Sequence, residues 1–443
     1  MHGVVKPRAH CLSQSLLAGT ACATVRRSWS HLPTWIRDTT QHVRFSKKSR
    51  IPCTMNTTRA LSSIIVAASI FATGWYLRRR SRRDERIDLS HTQTSPMAEE
   101  RDLSDLELRS NIHRKAKVEL HCHLNGSVRA QTLRELLAES EDDVGDGIVH
   151  TIEDAFREFK RVYRAVNSES ILRRVVRETL QDALADNVRY LELRTTPRKL
   201  ADVPSRKDYV RIVVDEIKRF EHLNSQNPLK TFPENTIAVR IILTVDRSQP
   251  ISSGDQTVDI ALRFRDIVVG IDFAGNPSIG TFADFVPVFN RARGHGLFTT
   301  VHTSEIRGVE GETSAILEFK PNRVGHFLFP TEAQIQLLRK NSIGIEACPT
   351  SNICAISGKS PVDGNMDGHH IIERFIRDSG GILSINTDDP GVFGKTLSDE
   401  MIAVAQTFKL KGAEIQNMFL AGAKQAFLSP PEREALASAI LES

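Results

Sequence analysis

Short apolar segments rich in β-branched residues recur from Lys117 onward and alternate with longer segments of helical periodicity. Apolar runs of this length are typical of buried strands, whereas apolar residues three and four apart are typical of helices that pack on a core. Helical spacing is clearest in Lys207–Leu223 and Thr331–Lys340. The predicted strands are Val118–Leu120, Val188–Leu193, Ile237–Val245, Val268–Phe273, Phe298–Val301, Arg323–His326, Ile343–Ala347 and Ile382–Ile385.

Strands that alternate with helices pair in parallel, because each helix returns the chain to the start of the next strand. Eight such units in roughly 300 residues predict an α/β fold, a closed (β/α)8 barrel of the TIM type. An open doubly wound sheet is the alternative, and it usually carries a glycine-rich turn after its first strand. The only glycine at that place is Gly126.

The gap between the first two predicted strands, residues 121–187, is unusually long. Apolar spacing predicts at least two helices in it, Ala130–Glu139 and Thr151–Val166. An insertion at this place would cover the carboxyl-terminal mouth of a barrel, as lids do. We therefore predict a helical insertion after the first strand.

Charge is distributed unevenly along the chain, although the formal net charge of the whole is only +5. Residues 1–83 contain 15 Lys or Arg and a single acid, Asp38, so the remainder of the chain is net negative. That remainder gives no reason to expect a nucleic-acid partner. The six cysteines are scattered and contain no Cys-x-x-Cys pair, which favours a reducing compartment.

The basic extension, residues 1–96, has features of a targeting or anchoring segment. Residues 1–54 have the composition of a transit peptide. Ala60–Leu77 contains 18 residues without a charge, enough to span a bilayer, and five arginines follow within Arg78–Arg83. Three interpretations stay open: a membrane anchor, an organelle leader, or a segment absent from the mature protein. We assign residues 97–443 to a cytoplasmic barrel that meets a membrane only if residues 60–77 are retained.

Polar and titratable residues follow nearly every predicted strand. The carboxyl ends of the strands form the active-site face of a barrel, so these residues are the candidates for chemistry. Helix capping explains any one Asp, Ser or Thr among them, but it does not explain histidines after three strands. The candidates are His121, His123, Asn125, Thr195, Thr196, Pro197, Arg198, Asp246, Gly275, His302, Glu305, His326, Asp388 and Asp389.

Four of these side chains predict a single metal centre. His121 and His123 point to one face because side chains alternate along a strand, and His302 and Asp388 complete the set. Three nitrogen ligands and one oxygen ligand fit one Zn²⁺ ion per subunit best, with Fe²⁺ and Co²⁺ left open. The neighbouring acids Asp388 and Asp389 also repel each other in a buried site unless a cation lies between them.

Two further residues are placed for proton transfer. A bound zinc ion lowers the pKa of its water from ~15.7 towards ~7, and His326 is free to orient that water or to take its proton. Glu305 lies three residues after the predicted ligand His302, and we assign it as the general acid/base. Asp389 is placed to hydrogen-bond either the hydroxide or a substrate nitrogen.

Five motifs together resemble the adenosine and AMP deaminase family of metal-dependent hydrolases. They are His121-Cys-His-Leu-Asn-Gly, His302-Thr-Ser-Glu, Arg323-Val-Gly-His, Cys348-Pro-Thr-Ser-Asn and Ser384-Ile-Asn-Thr-Asp-Asp-Pro. The resemblance implies a zinc barrel that attacks C6 of a 6-aminopurine and releases an amine. It also implies that His121, His123, His302 and Asp388 bind zinc, that Glu305 protonates N1, that His326 orients the hydroxide, that Asp389 contacts N7 and that the Gly275 backbone reaches N3.

One departure from the family pattern concerns Asn125, which stands where adenosine deaminases usually carry an Asp that holds the ribose 5′-hydroxyl. An amide donates a hydrogen bond to a 5′-phosphate, whereas a carboxylate repels it. With Thr195-Thr-Pro-Arg198, this residue resembles the subgroup of adenosine deaminase-like proteins, which convert N6-methyl-AMP to IMP and methylamine. Arg198 is the expected phosphate partner. Tyr163, His123 and Asp246 complete the predicted substrate contacts.

Three other functions compete with a zinc deaminase of N6-substituted AMP. A plain adenosine deaminase is the runner-up, and phosphate dependence discriminates between the two. A catalytically inactive binding protein would lack a ligand or the acid, and neither is missing. A cytidine-type deaminase needs a Pro-Cys-x-x-Cys ligand pair, which the chain does not contain. We expect a monomer that binds a small purine nucleotide.

Overall fold

The computed structural model describes residues 104–138, 152–224, 228–357, 366, 368–378 and 380–443. The predicted basic extension, residues 1–96 with the apolar segment at 60–77, lies outside these residues and stays a prediction. Within the described part of the chain, no helix combines the length and the apolar character needed to cross a membrane.

Eight parallel strands form one sheet in the order of the chain, from β1 to β8. Two main-chain hydrogen bonds connect the ends of this order: His123 N–H donates to the Asp388 carbonyl, and Asp388 N–H donates to the His121 carbonyl, both at 2.8 Å. The predicted barrel is therefore confirmed. The strands are β1 Lys117–His123, β2 Val188–Thr195, β3 Ala238–Asp246, β4 Val268–Ala274, β5 Phe298–Thr303, β6 Arg323–His326, β7 Gly344–Ala347 and β8 Leu383–Ile385.

Most of the longer strands continue past the apolar runs that predicted them. β1 reaches His123 rather than Leu120, and β5 reaches Thr303 rather than Val301. The polar ends stay in the sheet because neighbouring strands pair with them, as His123 does with Arg194. The candidate residues thus lie on the rigid sheet itself, at its carboxyl-terminal edge.

The helices surround the barrel, and several begin with side-chain caps. Thr331 and Gln334, for example, form a reciprocal capping box at the start of α10. The helices are α1 Asp105–Arg114, α2 Ala130–Ala138, α3 Ile152–Ala165, α4 Glu169–Ala185, α5 Arg206–Asn224, α6 Pro228–Thr231, α7 Ile251–Arg263, α8 Phe282–Gly294, α9 Glu310–Phe319, α10 Glu332–Lys340, α11 Pro349–Ser357, α12 His370–Phe375, α13 Pro390–Phe393, α14 Leu397–Thr407, α15 Gly412–Gln425 and α16 Pro430–Glu442.

The predicted insertion between β1 and β2 consists of a 3₁₀ turn, Asn125–Ser127, and the helices α2, α3 and α4. Helix α4 packs on β2 and α5, so it is the regular helix of the first β/α unit. Helices α2 and α3 are additional, and α3 packs on the 3₁₀ turn. Three side chains of α3, Ala155, Phe159 and Tyr163, line a cavity at the carboxyl-terminal mouth.

Buried ion pairs, in addition to apolar side chains, fill the barrel interior. Glu346 accepts hydrogen bonds from Arg323 Nε at 2.6 Å and from Arg194 Nη2 at 2.8 Å, and Arg323 also pairs with Glu192. All four side chains are at most 1% exposed. Removal of one partner would leave an uncompensated buried charge, and it would therefore lower the free energy of unfolding by about 3–5 kcal/mol.

Candidate active site

A cavity of about 350 Å³ opens at the carboxyl ends of the strands. This is the face on which TIM-type barrels carry their active sites. Its walls come from the strand ends, from the insertion helix α3 and from α11 and α13. The residues that line it include His123, Asn125, Phe159, Tyr163, Thr196, Asp246, Gly275, His302, Glu305, His326, Asn352, Asp388, Asp389 and Phe393.

The four predicted metal ligands converge beside this cavity, and three of them, His123, His302 and Asp388, line it. One nitrogen or oxygen atom from each of His121, His123, His302 and Asp388 lies within 4.8 Å of the other three. Asp388 Oδ1 lies 3.2 Å from His121 Nε2 and 3.4 Å from His123 Nε2, and His123 Nε2 lies 3.2 Å from His302 Nε2. The strands β1 and β5 and the residues after β8 therefore assemble one compact donor set.

Two buried carboxylates hold the ring orientations of this set. Glu346 Oε2 lies 2.7 Å from His121 Nδ1, and Asp272 Oδ1 lies 2.9 Å from His302 Nδ1. Burial opposes the charge on Asp272, but the neighbouring His302 and Arg194 lower the pKa of that carboxyl to about 2. Each carboxylate accepts the Nδ1 proton, which leaves Nε2 as the free donor atom that faces the cluster.

The residues fit a divalent metal ion. His121 Nε2 is buried and has no hydrogen-bond partner, although its ring is fixed by Glu346. Three imidazoles and one carboxylate within a sphere of this size match the donor chemistry of zinc. A second group among the described residues, His326, Cys348 and Asp388, shares one member with the first. Burial raises the pKa of the Cys348 thiol well above its usual value.

Glu305, His326 and Asp389 line the same cavity as the cluster. Burial, the charge of Asp388 and the charge of Glu305 all raise the pKa of Asp389 well above its ordinary value. Asp389 Oδ1 is buried and lacks a partner. A protonated carboxyl with a free oxygen is able to donate a hydrogen bond to a ligand nitrogen.

Strained backbone positions coincide with this site. Ser304, His326 and Asp388 have φ values of 56°, 62° and 64°, in the left-handed region that non-glycine residues seldom adopt. Each of these conformations costs of order 1–3 kcal/mol and persists only where the surroundings impose it. The chain turns sharply at these points, which directs the side chains of His326 and Asp388 towards the cavity.

Two glycines permit the close packing of the site. A Cβ atom on Gly126 would lie 1.7 Å from Asp389 Oδ1, so only glycine leaves room for that carboxyl. Gly275 has a φ of +114°, and a Cβ atom there would lie 2.9 Å from Asp246 Oδ1. Gly275 therefore presents bare backbone to the cavity, as its predicted contact with a ligand requires.

The structure brings most predicted substrate contacts to the cavity wall. Asn125 lies there in the 3₁₀ turn and is 7% exposed, and Tyr163, Thr196 and Asp246 lie there as well. Three predicted contacts, Thr195, Pro197 and Arg198, are not among the lining residues.

Internal contacts occupy all three of these residues. The Pro197 carbonyl accepts a hydrogen bond from Arg206 Nε at 2.9 Å. The Thr195 hydroxyl bonds to the Tyr209 hydroxyl at 2.9 Å. Arg198 Nη2 donates to the Val166 carbonyl at 2.5 Å, and its guanidinium stacks over the Tyr163 ring at 4.9 Å. Arg198 therefore supports a wall residue of the cavity.

Asp272 and Glu346 lie inside the predicted strands Val268–Phe273 and Ile343–Ala347, and the sequence assigned neither of them a role. The signal that was present is a charged residue inside an apolar run, which is rare unless the charge is paired. Sequence separation hides the partners: 30 residues separate Asp272 from His302, and 225 separate Glu346 from His121. Sequence reasoning also missed Phe393, which, like Phe159 of α3, packs against Ala155 and Val392.

A (β/α)8 barrel with a histidine and aspartate cluster at its mouth is an architecture of metal-dependent hydrolases. The chain belongs to the adenosine deaminase family, whose sequence pattern, described as Adenosine deaminase, matches residues 116–443.

Curated relatives support this placement at the level of sequence. The adenosine deaminase-like protein of Drosophila pseudoobscura pseudoobscura is 32% identical over 337 residues, which cover 72% of this chain and 94% of that protein. The N6-mAMP deaminase of Arabidopsis thaliana is 33% identical over 321 residues, with coverage of 67% and 88%. The crystal structure of Arabidopsis ADAL complexed with IMP superposes with a TM-score of 0.66 at 28% identity, over 75% of this chain and 98% of that one.

Proposed function

We propose that the protein is a zinc-dependent hydrolase that converts N6-methyl-AMP and water to IMP and methylamine. One observation carries the proposal: the His and Asp cluster, Glu305 and Asp389 share a single cavity in a chain of this family. The relatives named N6-methyl-AMP deaminase, including the human protein at 30% identity, support the choice of substrate. The ADAL structure that binds IMP is consistent with a nucleotide product.

His121, His123, His302 and Asp388 would hold one zinc ion per subunit. When bound, the ion supplies Lewis-acid activation of a water molecule at neutral pH. The chain's own contribution is the orientation of the ligands: Glu346 and Asp272 hold the rings so that no reorganisation is needed when the ion binds. Removal of these supports would loosen the centre before any ligand is lost.

The remaining cavity residues act on the purine. Glu305 donates a proton to N1, which makes C6 electrophilic while the water oxygen forms its bond to C6. One proton of that water passes to the Glu305 carboxylate, which restores the acid, and the other moves to N6. The C6–N6 bond then breaks, and methylamine leaves with a proton while C6 becomes the carbonyl of IMP. Protonated Asp389 donates a hydrogen bond to N7, and the Gly275 backbone contacts N3. The family resemblance and the presence of all three residues in the lining of one cavity support these roles.

Water must be held in line with C6, and we assign that task to His326. It lines the cavity, is 4% exposed and stands in a strained conformation that directs its ring inward. The apolar rings of Phe159 and Phe393 at the mouth reduce access of bulk solvent. Exclusion of water strengthens every hydrogen bond made inside the site.

Asn125 supports a nucleotide rather than a nucleoside substrate. It lies on the cavity wall, where its amide is able to donate to a phosphate oxygen without adding negative charge. We expect Asn125→Asp to raise KM for N6-methyl-AMP by about tenfold through charge repulsion, and to change KM for N6-methyladenosine by less than about twofold. Equal changes for both substrates would remove Asn125 from phosphate recognition.

A product-release assay with three compounds tests the proposal: N6-methyl-AMP, AMP and N6-methyladenosine. The expected result is release of methylamine and IMP from N6-methyl-AMP, with much slower release from N6-methyladenosine. Comparable turnover of adenosine and its monophosphate would identify a plain adenosine deaminase instead. Elemental analysis of the active protein would show one zinc per subunit, and active protein free of transition metals would exclude the scheme.

We also propose a monomeric, cytoplasmic catalytic domain over residues 97–443. The thiols of Cys122, Cys348 and Cys354 are free and buried, which is consistent with a reducing compartment. Expression of the full chain and of residues 97–443 as fluorescent fusions, followed by imaging, would establish whether residues 1–96 direct the protein to a membrane or an organelle.

A further inference from the structure

The Asn352 carboxamide lies between two histidine rings behind the cavity. One end of the amide is 2.9 Å from His326 Nδ1, and the other end is 3.0 Å from His369 Nε2. Asn352 and His369 are 0% and 1% exposed. Asn352 belongs to α11, and His369 is the residue that caps the N-terminus of α12, so consecutive helices meet at the ring of His326.

The main chain of Cys348 determines which way the amide points. The Cys348 carbonyl lies 3.2 Å from the end that faces His326, and the Cys348 N–H lies 3.2 Å from the end that faces His369. A carbonyl only accepts and an N–H only donates, so one orientation satisfies both. In that orientation the Asn352 NH₂ group donates to His326 Nδ1 and the Asn352 oxygen accepts from His369 Nε2.

The hydrogen bonds of His369 independently require the same orientation. Its Nδ1 atom accepts the N–H of Ile372 at 3.3 Å, so the proton of the neutral ring resides on Nε2. Burial lowers the pKa of His369 to about 3, which keeps the ring neutral. Nε2–H then donates to Asn352 and needs an oxygen there. The direction of donation therefore runs from Ile372 through His369 and Asn352 to His326.

We propose that Asn352 and His369 are positioning residues that hold His326 as the Nε2–H tautomer. The role given to His326 rests on the proposed function. The hydrogen-bond geometry around the His326 ring does not depend on that function. Because His326 Nδ1 accepts a proton donor, the neutral ring presents N–H rather than a lone pair to the cavity. His326 then orients the nucleophile as a hydrogen-bond donor and does not take its proton, which leaves that task to a carboxylate of the cavity.

Asn352→Asp reverses the direction of the hydrogen bond at Nδ1. A carboxylate accepts from Cys348 N–H and His369 as the amide does, but it holds a proton on His326 Nδ1. A tautomer error of this kind lowers kcat by up to about 10⁴-fold in a serine protease triad. We expect kcat for N6-methyl-AMP to fall by at least about 100-fold, with KM and zinc content changed less than about twofold. An unchanged kcat would overturn the proposal.

Asn341→Asp is the matched control. This Asn precedes β7, at the end of the barrel opposite the cavity, and its amide donates to the Leu317 carbonyl at 3.2 Å. The same chemical change there removes one hydrogen bond without touching the site. We expect its kcat to match that of the unmodified protein, and a loss similar to that of Asn352→Asp would mean that the effect is not specific to the relay.

Two substitutions at His369 separate positioning from packing. A glutamine at this position still donates to the Asn352 oxygen, whereas a leucine of similar bulk does not. We expect His369→Gln to retain most of kcat and His369→Leu to lose at least about tenfold, with equal thermal midpoints. Equal losses of kcat in both variants would indicate a purely structural role for His369.

Nitrogen-15 NMR of the full-length zinc enzyme with labelled histidines reads the tautomer directly. The His326 signals, assigned with a His326→Gln variant, should show a protonated Nε2 in the unmodified protein and a protonated Nδ1 in Asn352→Asp. Protonation of Nδ1 in the unmodified protein would refute the proposal. This readout does not depend on turnover, so it still decides the tautomer if N6-methyl-AMP proves not to be the substrate.

Discussion

His121 Nδ1 lies 2.7 Å from Glu346 Oε2, and neither side chain has any exposed surface. Burial favours the protonated form of Glu346, but the guanidinium groups of Arg194 and Arg323 hold the pKa of its carboxyl well below the ordinary value. The carboxylate therefore stays charged and accepts the imidazole proton. Through this contact, the ion pairs inside the barrel determine how His121, a proposed metal ligand, is oriented at the carboxyl-terminal mouth.

Asp272 holds the His302 ring as Glu346 holds the His121 ring, and the first prediction concerns this contact. Asp272→Asn retains the size of the side chain but removes the charge that holds the His302 ring. Zinc affinity should fall by about 10–100-fold, measured by competition with a chelator of known affinity. Asp259→Asn is the control, because Asp259 is an exposed acid of α7 that pairs with Arg291 of α8, and it should leave zinc affinity unchanged. Unchanged affinity in Asp272→Asn would show that the contact does not tune the site.

The second prediction separates metal binding from proton transfer. Glu305→Gln should retain zinc, because Glu305 is not one of the four clustered ligands, and should lose about 10²–10⁴-fold in kcat, because the amide cannot supply a proton to N1. Zinc content and steady-state kinetics measure the two effects on the same sample. Glu318→Gln, at an exposed position on α9, is the matched control. A variant with normal turnover would exclude Glu305 as the acid.

The third prediction concerns the space that Gly126 leaves for Asp389. In Gly126→Ala the new methyl group would lie 1.7 Å from Asp389 Oδ1, so the carboxyl must move. A displacement of about 1 Å at a catalytic centre costs about 100-fold in kcat/KM. Gly311→Ala on α9 meets no atom within 4 Å and should leave the kinetics unchanged. If the two alanine variants behave alike, Asp389 does not need its observed position.

The fourth prediction is a pH dependence of stability that originates at Glu400. Its side chain accepts the N–H of Thr350 at 3.1 Å, and burial raises the pKa of its carboxyl to about 8. The folded protein therefore binds this proton more tightly than the unfolded chain does. The contribution of Glu400 to the free energy of unfolding is fully present below pH about 4.5, and it is lost as the pH rises towards about 8.

Glu400→Gln removes this titration while it retains the acceptor for Thr350 N–H. The thermal midpoint of the variant should therefore rise relative to that of the unmodified protein as the pH increases from 5 to about 8. Glu373→Gln, at an exposed position on α12, should show no such gain. Parallel midpoint curves for Glu400→Gln and the unmodified protein would show that Glu400 is ionised in the fold at all these pH values.

Much of the site could be predicted because a barrel brings the ends of distant strands to one place. His121, His302 and Asp388 were each recognisable as polar residues after an apolar run, and eight such runs determine where the ends meet. Some predicted strands stop too early, as β1 does at Leu120, because apolar composition alone does not show that polar residues continue the strand pairing.

Contacts that depend on side-chain direction could not be predicted from this sequence. His369 follows no strand, so nothing in the pattern connected it to Asn352 or to His326. Arg198 stays a predicted phosphate partner, and the sequence did not show that its guanidinium bonds to Val166 and stacks on Tyr163. Both cases depend on where the segments between strands fold back, which hydrophobic periodicity does not determine.

The junction between the first and last strands has a consequence for the whole barrel. His121, His123 and Asp388 contribute main-chain hydrogen bonds to that junction, and their side chains point into the donor cluster. A cation bound there would cross-link β1 to the segment after β8, at the point where the barrel closes. Hydrogen–deuterium exchange after chelation should therefore accelerate first at the amides of His123 and Asp388, well before the paired amides of β3 and β4 respond.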